Sequence, residues 1–398
     1  MKNGWQTKKL GDLVEVQNGY AFSSKDYSQS GHFLMRIGNV QNGYISTADP
    51  KFIKLPSDGS LKRFVLYEGD ILVSLTGNVG RVGVMREEHL PAALNQRVAR
   101  ISIRKDSPAT RELILLFLCS DWFREELSDA GHGAAQQNVS TKDLVEIEIH
   151  VPPVDEQKRI VGKLDEAFVG LAKAKENSEK NLQNARALFE SHLESVFTQR
   201  GPGWVEKKLD DVCGFQNGFA FKSNTFKAAG APVIRISNIQ DGRIDTENRL
   251  VFVNPKDYRE NLDRYRIVKN DLLIAMSGAT TGKLGFNTEN TVFYLNQRVG
   301  KFEPSAKLNK QFLYYFLSTR VEENLRISAG AAQPNLSTEQ IKGFVIPLPP
   351  VEEQTRIVLK LDSLSDQTQR LASVYEQKLE ALESLKKSIL HEAFSGNL

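Results

Sequence analysis

Apolar positions in the first 150 or so residues come in short runs broken by Gly, Asn, Asp and Pro. Asp70-Ile71-Leu72-Val73-Ser74-Leu75 ahead of Gly77 is typical, and this pattern predicts strands joined by tight turns. A helical spacing follows at about Arg111 to Ser128, with a counterpart at about Lys310 to Ile327, so the pattern predicts a mixed α/β module. The pattern then changes. After Pro152-Pro153 come the acidic Asp155-Glu156 and about 40 residues free of proline. In them Ile160, Leu164, Ala167, Leu171, Ala174, Leu182, Ala185, Phe189 and Val196 form a 3/4 stripe. After Pro349-Pro350 the same design returns with Ile357, Leu361, Leu364, Leu371, Leu382, Leu385 and Ile389. Each stripe predicts one long helix that needs a partner helix.

The chain is two copies of one plan. Gly4-Trp5, Lys8-Lys9-Leu10, Asp12, Gln17-Asn18-Gly19 and Ala21-Phe22 recur 199 residues later as Gly203-Trp204, Lys207-Lys208-Leu209, Asp211, Gln216-Asn217-Gly218 and Ala220-Phe221. Arg36-Ile37-Gly38-Asn39 returns as Arg235-Ile236-Ser237-Asn238, and Leu94-Asn95-Gln96-Arg97-Val98 returns unchanged at 295–299. Gly133-Ala134-Ala135-Gln136 returns at 330–333, and Pro152-Pro153-Val154-Asp155-Glu156-Gln157 returns as Pro349-Pro350-Val351-Glu352-Glu353-Gln354. The expected organisation is a module over 1–151, a long helix over 152–200, a second module over 201–348 and a second long helix over 349–398. Internal pseudo-twofold symmetry favours an antiparallel coiled coil of the two helices. Its expected contact residues are Ile160, Leu164, Ala167, Leu171 and Ala174 against Ile357, Leu361, Leu364, Leu371 and Leu382. A helix of about 42 residues spans about 63 Å, which would place the modules at the two ends of a rod.

Composition narrows the class without changing this picture. The 398 residues are 40% hydrophobic and 25% charged with a mean hydropathy of −0.37, values of a folded globular chain. The longest apolar run, Leu113 to Cys119, is too short for a membrane helix, and Met1-Lys2-Asn3-Gly4-Trp5 leads into no signal-peptide core, so a cytoplasmic location without a membrane partner is expected. Two cysteines, Cys119 and Cys213, support neither a disulfide framework nor a zinc site and read as small core residues. The net charge is +3, and the surplus sits in residues 201–351, with 20 basic against 15 acidic side chains. A polyanion would therefore meet local patches.

Catalytic chemistry finds little support. Ser277-Gly278-Ala279-Thr280-Thr281-Gly282-Lys283-Leu284 has three residues between its glycines where a P-loop has four, and Leu where Ser or Thr would hold magnesium. Thr76-Gly77-Asn78-Val79-Gly80-Arg81-Val82-Gly83 lacks the spacing of a dinucleotide fingerprint. Both read as tight turns. The six histidines form no i, i+4 pair and none is matched between the copies, so no metal or triad site is expected. Two readings of the glycine loops stand side by side: plain hairpins, or backbone N–H groups with Arg81 and Lys283 offered to a ligand. Gln96-Arg97 and Gln297-Arg298 are suited to adenine and guanine edges, although a solvent-facing strand would look alike. Gln136-Gln137-Asn138 and Gln333-Pro334-Asn335 read as turns, with a contact loop as the alternative.

The repeated Pro-Pro-Val-Asp/Glu-Glu-Gln with Arg-Ile-Val resembles the helix-start signature of the specificity (S) subunits of Type I restriction-modification systems. The openings with Trp, Lys-Leu and Asp in that order, the glycine loops with Arg or Lys, the Gly-Ala-Ala-Gln segments and the closing Ala393-Phe394-Ser395-Gly396 extend the resemblance over the chain. It implies two target-recognition domains that read a bipartite, asymmetric site in double-stranded DNA, with the long helices setting the separation. It also implies two methyltransferase subunits and restriction/translocase subunits as partners. S-adenosylmethionine, ATP and magnesium would then bind those partners, and this chain would carry no cofactor and no catalysis of its own. The DNA-contact candidates are Arg36, Asn39, Asn78, Arg81, Gln96 and Arg97 in the first copy, and Arg235, Asn238, Thr280, Thr281, Lys283, Gln297 and Arg298 in the second. Copies that read different sequences should share scaffold and differ where bases are read. Asn18, Gly19 and Asn95 are thus expected to serve the fold or phosphates. Asn78-Val79 against Ala279-Thr280-Thr281, and Tyr44–Lys54 against Arg243–Val253, are expected to discriminate. The competing readings are a stand-alone two-module DNA-binding or scaffolding protein, and a methyltransferase, which fails for want of an Asp/Asn-Pro-Pro-aromatic motif.

Overall fold

In the computed structural model, residues 4–130, 138–240, 242–247, 250–320 and 335–398 are described. They divide into two compact units, Met1–Lys180 with Glu376–Leu398, and Asn181–Tyr375.

In the first unit, a four-stranded antiparallel sheet runs in the order Val82–Val84, Ile71–Ser74, Val98–Ile103, Val14–Asn18. The run Ile71 to Leu75 is apolar except for Ser74 because the sheet is buried on both faces. Ile71, Val73 and Leu75 join the helical side of the core, whereas Leu72 faces Phe33, Met35, Leu66 and Leu94 of the other sheet. That other sheet orders Tyr27–Ser28, Phe52–Ile53, His32–Met35, Ala92–Leu94 and Val65–Leu66, with one parallel pairing, Ala92–Leu94 on His32–Met35. The second unit repeats the arrangement: Leu272, Ile274 and Met276 face helices, while Leu273 and Ala275 face Val233, Ile234 and Leu295.

The helix expected over 111–128 is two helices, Arg111–Leu118 and Asp121–Asp129. Ser120 breaks it: its hydroxyl donates to the Phe117 carbonyl and accepts from the Phe123 N–H, which caps the second helix. In the second copy the helix runs Lys310–Ser318 and ends in a turn at Thr319 and Arg320, and 321–327 of the predicted stretch fall outside the described residues, as do both Gly-Ala-Ala-Gln segments, Gln136-Gln137 and Gln333-Pro334.

Both long helices are present, Val154–Thr198 and Val351–Phe394. They are not separate segments beside the modules, because the compact units divide each helix between them. Their apolar stripes complete the module cores: Ile160, Leu164, Leu390, Ala393 and Phe394 are buried with Phe117 and Phe123 in the first unit. In the second, Leu193, Phe197, Ile357 and Leu361 are buried with Phe312 and Phe316. Within the first unit the helix segments run antiparallel, since Lys175 Nζ lies 2.6 Å from Glu383 Oε1 and Arg159 donates to the Leu398 carbonyl at 2.6 Å. Of the expected contact residues, Ile160, Leu164, Ile357 and Leu361 are buried and Ala167, Leu171, Ala174, Leu364 and Leu382 are half-buried. Leu371 is a correction: it is 42% exposed, as is Leu385 at 47%. Beyond Leu364 the 3.6-residue period shifts the buried line onto Thr368, Ala372, Tyr375 and Leu379, leaving Leu371 on the flank.

The repeated Gln at each helix start has a clear task. Gln157, fully buried, accepts from the Thr110 N–H at 2.7 Å and donates to the Pro108 and Pro152 carbonyls at 2.8 Å each. Gln354 does the same with the Asn309 N–H and the Lys307 and Pro349 carbonyls. One carboxamide thus ties each long helix to the N-terminus of a module helix.

Candidate nucleic-acid interface

Three segments that are far apart in the chain meet at one edge of each unit. In the first, the Leu75 N–H donates to the Arg97 carbonyl and the Val139 N–H to the Leu75 carbonyl. Thr76 Oγ1 adds a 2.8 Å hydrogen bond to Asn138 Oδ1. The glycine loop, the Gln96-Arg97 turn and Asn138 are therefore neighbours. In the second unit, Met276 N–H donates to the Arg298 carbonyl, Leu336 N–H to the Met276 carbonyl, and Ser277 bridges Asn335. The turn after His32–Met35 joins the same edge, because the Asn95 N–H reaches the Met35 carbonyl and, in the copy, Asn296 reaches Ile234.

The shared residues build this edge. A Cβ on Gly19 would lie 2.0 Å from the Asn95 carbonyl oxygen, and one on Gly218 2.0 Å from that of Asn296, so only glycine lets the two backbones approach. The Tyr20 N–H then donates to Leu94 and the Gln96 N–H to Tyr20, holding the Gln96-Arg97 turn. Asn18 donates to Thr141 Oγ1 and Asn217 to Thr338 Oγ1. These residues serve the fold.

Gln96, Arg97, Gln297 and Arg298 have exposed side chains. Arg97 sits at φ 69°, a left-handed conformation uncommon for a non-glycine residue. Asn78 is exposed at the tip of its loop, and Arg81 is half-buried behind it. The glycines do act as tight turns, with φ of 73° and 76° at Gly77 and Gly80 and of 79° and 85° at Gly278 and Gly282. The first loop is closed by Ser74, whose hydroxyl donates to the Asn78 carbonyl at 2.6 Å and accepts from the Arg81 N–H at 3.0 Å. The second has Ala275 there and is one residue longer. It is closed instead by Thr281, which donates to the Gly278 carbonyl, and Thr280, which donates to the Ile236 carbonyl.

Several candidates face inward. Asn39 and Asn238 are 1% and 0% exposed, and each accepts from the backbone N–H of its arginine, Arg36 or Arg235, to close a short turn. Asn39 also donates to the Ser46 carbonyl and Asn238 to the Asp245 carbonyl, so neither amide can reach a base. Thr281, 2% exposed, is committed to its own loop. Arg36 Nη2 donates to the Asp49 carbonyl and carboxylate at 2.6 and 3.0 Å. Hydrogen bonds from Lys51 and then Arg36 hold the Asp49 carboxyl below its ordinary range, which marks Arg36 as a support of the 47–50 loop. Gln41 and Ser74 escaped the sequence reading, since their partners lie up to 40 residues away. Tyr44, inside the segment expected to discriminate, is 58% exposed beside the glycine loop, and Gly43 N–H donates to the Val82 carbonyl. Among the described residues no group of three or more His, Cys, Asp or Glu side chains could hold a metal, and no helix is long and apolar enough to cross a membrane.

The fold is that of known structures. A chain solved in work on complex assembly and conformational transition of the type I R-M system superposes with a TM-score of 0.79 at 21% identity, covering 100% of this chain and 99% of that one. The HsdS subunit from Thermoanaerobacter tengcongensis gives a TM-score of 0.61, also at 21% identity, covering 100% and 98%. Among curated proteins, the EcoBI specificity subunit of Escherichia coli is 24% identical over 100% of this chain and 86% of its own length. The EcoKI specificity subunit of E. coli K12 is 24% identical over 100% and 90%. The MjaVIII specificity subunit of Methanocaldococcus jannaschii is 29% identical over 46% and 43%. The model of the Type I restriction modification DNA specificity domain matches twice, over residues 2–180 and 202–381. With one such domain on each copy of the repeat, the chain belongs to the Type I restriction modification DNA specificity family.

Proposed function

We propose that this chain is the non-catalytic, sequence-recognising subunit of a Type I restriction-modification complex and that each unit reads one part of a bipartite, asymmetric DNA site. Two methyltransferase subunits and the restriction/translocase subunits assemble on it. S-adenosylmethionine, ATP and magnesium belong to those partners, and the long helices set the spacer between the half-sites. The reading fits a cytoplasmic protein.

One observation carries the proposal. The same scaffold residues, Gly19 and Gly218, Asn95 and Asn296, hold an edge in each unit whose exposed or loop-forming residues differ, Asn78-Val79 with Arg81 against Ala279-Thr280-Thr281 with Lys283. A shared frame with divergent loops is what two readers of different sequences require. The family match removes the favour from a stand-alone DNA-binding protein.

Co-purification with methyltransferase subunits tests it. The chain alone is expected to neither methylate nor cut DNA, while the assembled complex with S-adenosylmethionine methylates adenine at a defined motif. Methyl transfer by the isolated chain, or failure to associate with those subunits, would overturn the proposal.

A further inference from the structure

The two glycine loops differ in the cation they carry and in how it is held. Gln41 Oε1 accepts from Arg81 Nη1 at 2.8 Å, and Gln41 Nε2 donates to the Gly38 carbonyl at 2.8 Å. This amide bridges the turn after His32–Met35 to the glycine loop. Arg81 is fixed at its backbone as well, through its N–H to Ser74 Oγ and its carbonyl to the Ser74 N–H. A guanidinium braced at one terminal nitrogen retains the rest of its planar fork of donors, and its rotamer is set before any ligand arrives. The matching positions of the second copy are Gln240 and Lys283, with Ala275 in place of Ser74. A lysine there supplies a point charge and no fork.

We infer that Arg81 reads a guanine in the part of the DNA site taken by the first unit, and that Gln41 is its positioning residue. The inference rests on the proposed function and adds the base and the residue that orients its reader. A guanidinium donates two hydrogen bonds to guanine O6 and N7 in the major groove, a pairing that a fixed plane favours over the other base pairs. Lys283 stands where Arg81 does, so this arginine contact belongs to one half-site.

The test begins from the motif methylated by the assembled wild-type complex. Binding of that complex to the motif duplex, and to duplexes changed one base pair at a time, is compared for wild type, Arg81→Ala, Gln41→Leu and Gln41→Glu. The wild type is expected to lose about tenfold or more at one G·C pair of one half-site. Arg81→Ala and Gln41→Leu should lose that preference and keep the preferences of the other half. Gln41→Glu, which retains an acceptor for Arg81, should keep it. Thermal melts accompany each variant, and Arg81→Ala decides the matter if Gln41→Leu unfolds. If Arg81→Ala weakens all duplexes alike and lowers the salt slope, Arg81 is a phosphate contact and the inference falls while the proposed function stands. Unchanged preferences at every pair overturn it too, and a wild-type complex without any sequence motif would sink the proposed function along with it.

Discussion

At the scale of single residues, the repeat is explained by what side chains hold together more than by what they offer to a ligand. Gln157 is the clearest case, since its fully buried carboxamide joins one N–H and two carbonyls, those of Thr110, Pro108 and the buried Pro152. Gln157→Ala leaves those groups without a partner, and at about 1 to 3 kcal/mol for an unsatisfied buried group the first unit should lose about 2 to 4 kcal/mol in total. Urea unfolding followed by tryptophan fluorescence measures this, and a loss below about 0.5 kcal/mol would show that water takes over the role. The repeated Pro-Pro-Val-Asp/Glu-Glu-Gln pointed to this residue in the sequence, but its task was not legible, because Thr110 and Pro108 lie nearly 50 positions away. The same limit hid the Gln41 brace on Arg81. Asn39 and Asn238 show the opposite failure: an asparagine can read adenine or close a turn, and only burial separates the two uses.

At the scale of elements, the helical and strand periods were legible wherever burial followed a single regular pattern. The run Asp70–Leu75 predicted a strand, and Ile71–Ser74 is a strand buried on both faces, as is its counterpart Leu272–Ala275. The long helices were evident from their lack of proline and their stripes. What local spacing could not supply was the phase of the second stripe, because Leu364, Leu371 and Leu385 look equivalent by sevens while the straight helix follows 3.6. This contrast gives a paired expectation. Leu361→Ala, at a fully buried position, should cost about 2 to 5 kcal/mol in chemical denaturation, whereas Leu371→Ala should change stability by no more than about 0.5 kcal/mol. Equal costs would mean that Leu371 is covered in the folded chain and that the assigned phase is wrong. Ser120 is the other element-scale lesson, since a serine inside an apolar helical pattern ended one helix and capped the next.

At the scale of the whole molecule, the duplication is the feature that fold and function share, and it was visible in the sequence before any element was assigned. Less visible was that each long helix contributes to both units, which follows from the placement of its buried side chains. The equivalence of those buried residues makes the modules interchangeable. Ile160 and Leu164 meet the first module where Ile357 and Leu361 meet the second, and Gln157 and Gln354 make the same three hydrogen bonds. A chain in which residues 203–348 replace residues 4–151, leaving both helices intact, should therefore fold. The central claim is that each unit independently reads one half of a bipartite site, and mapping the adenines methylated by the partner-assembled hybrid tests it most directly. The wild-type complex should yield an asymmetric bipartite motif, and the hybrid a motif whose two halves carry the same sequence, the half the wild type owes to its second unit. A folded, assembled hybrid that still methylates the asymmetric wild-type motif would contradict the account.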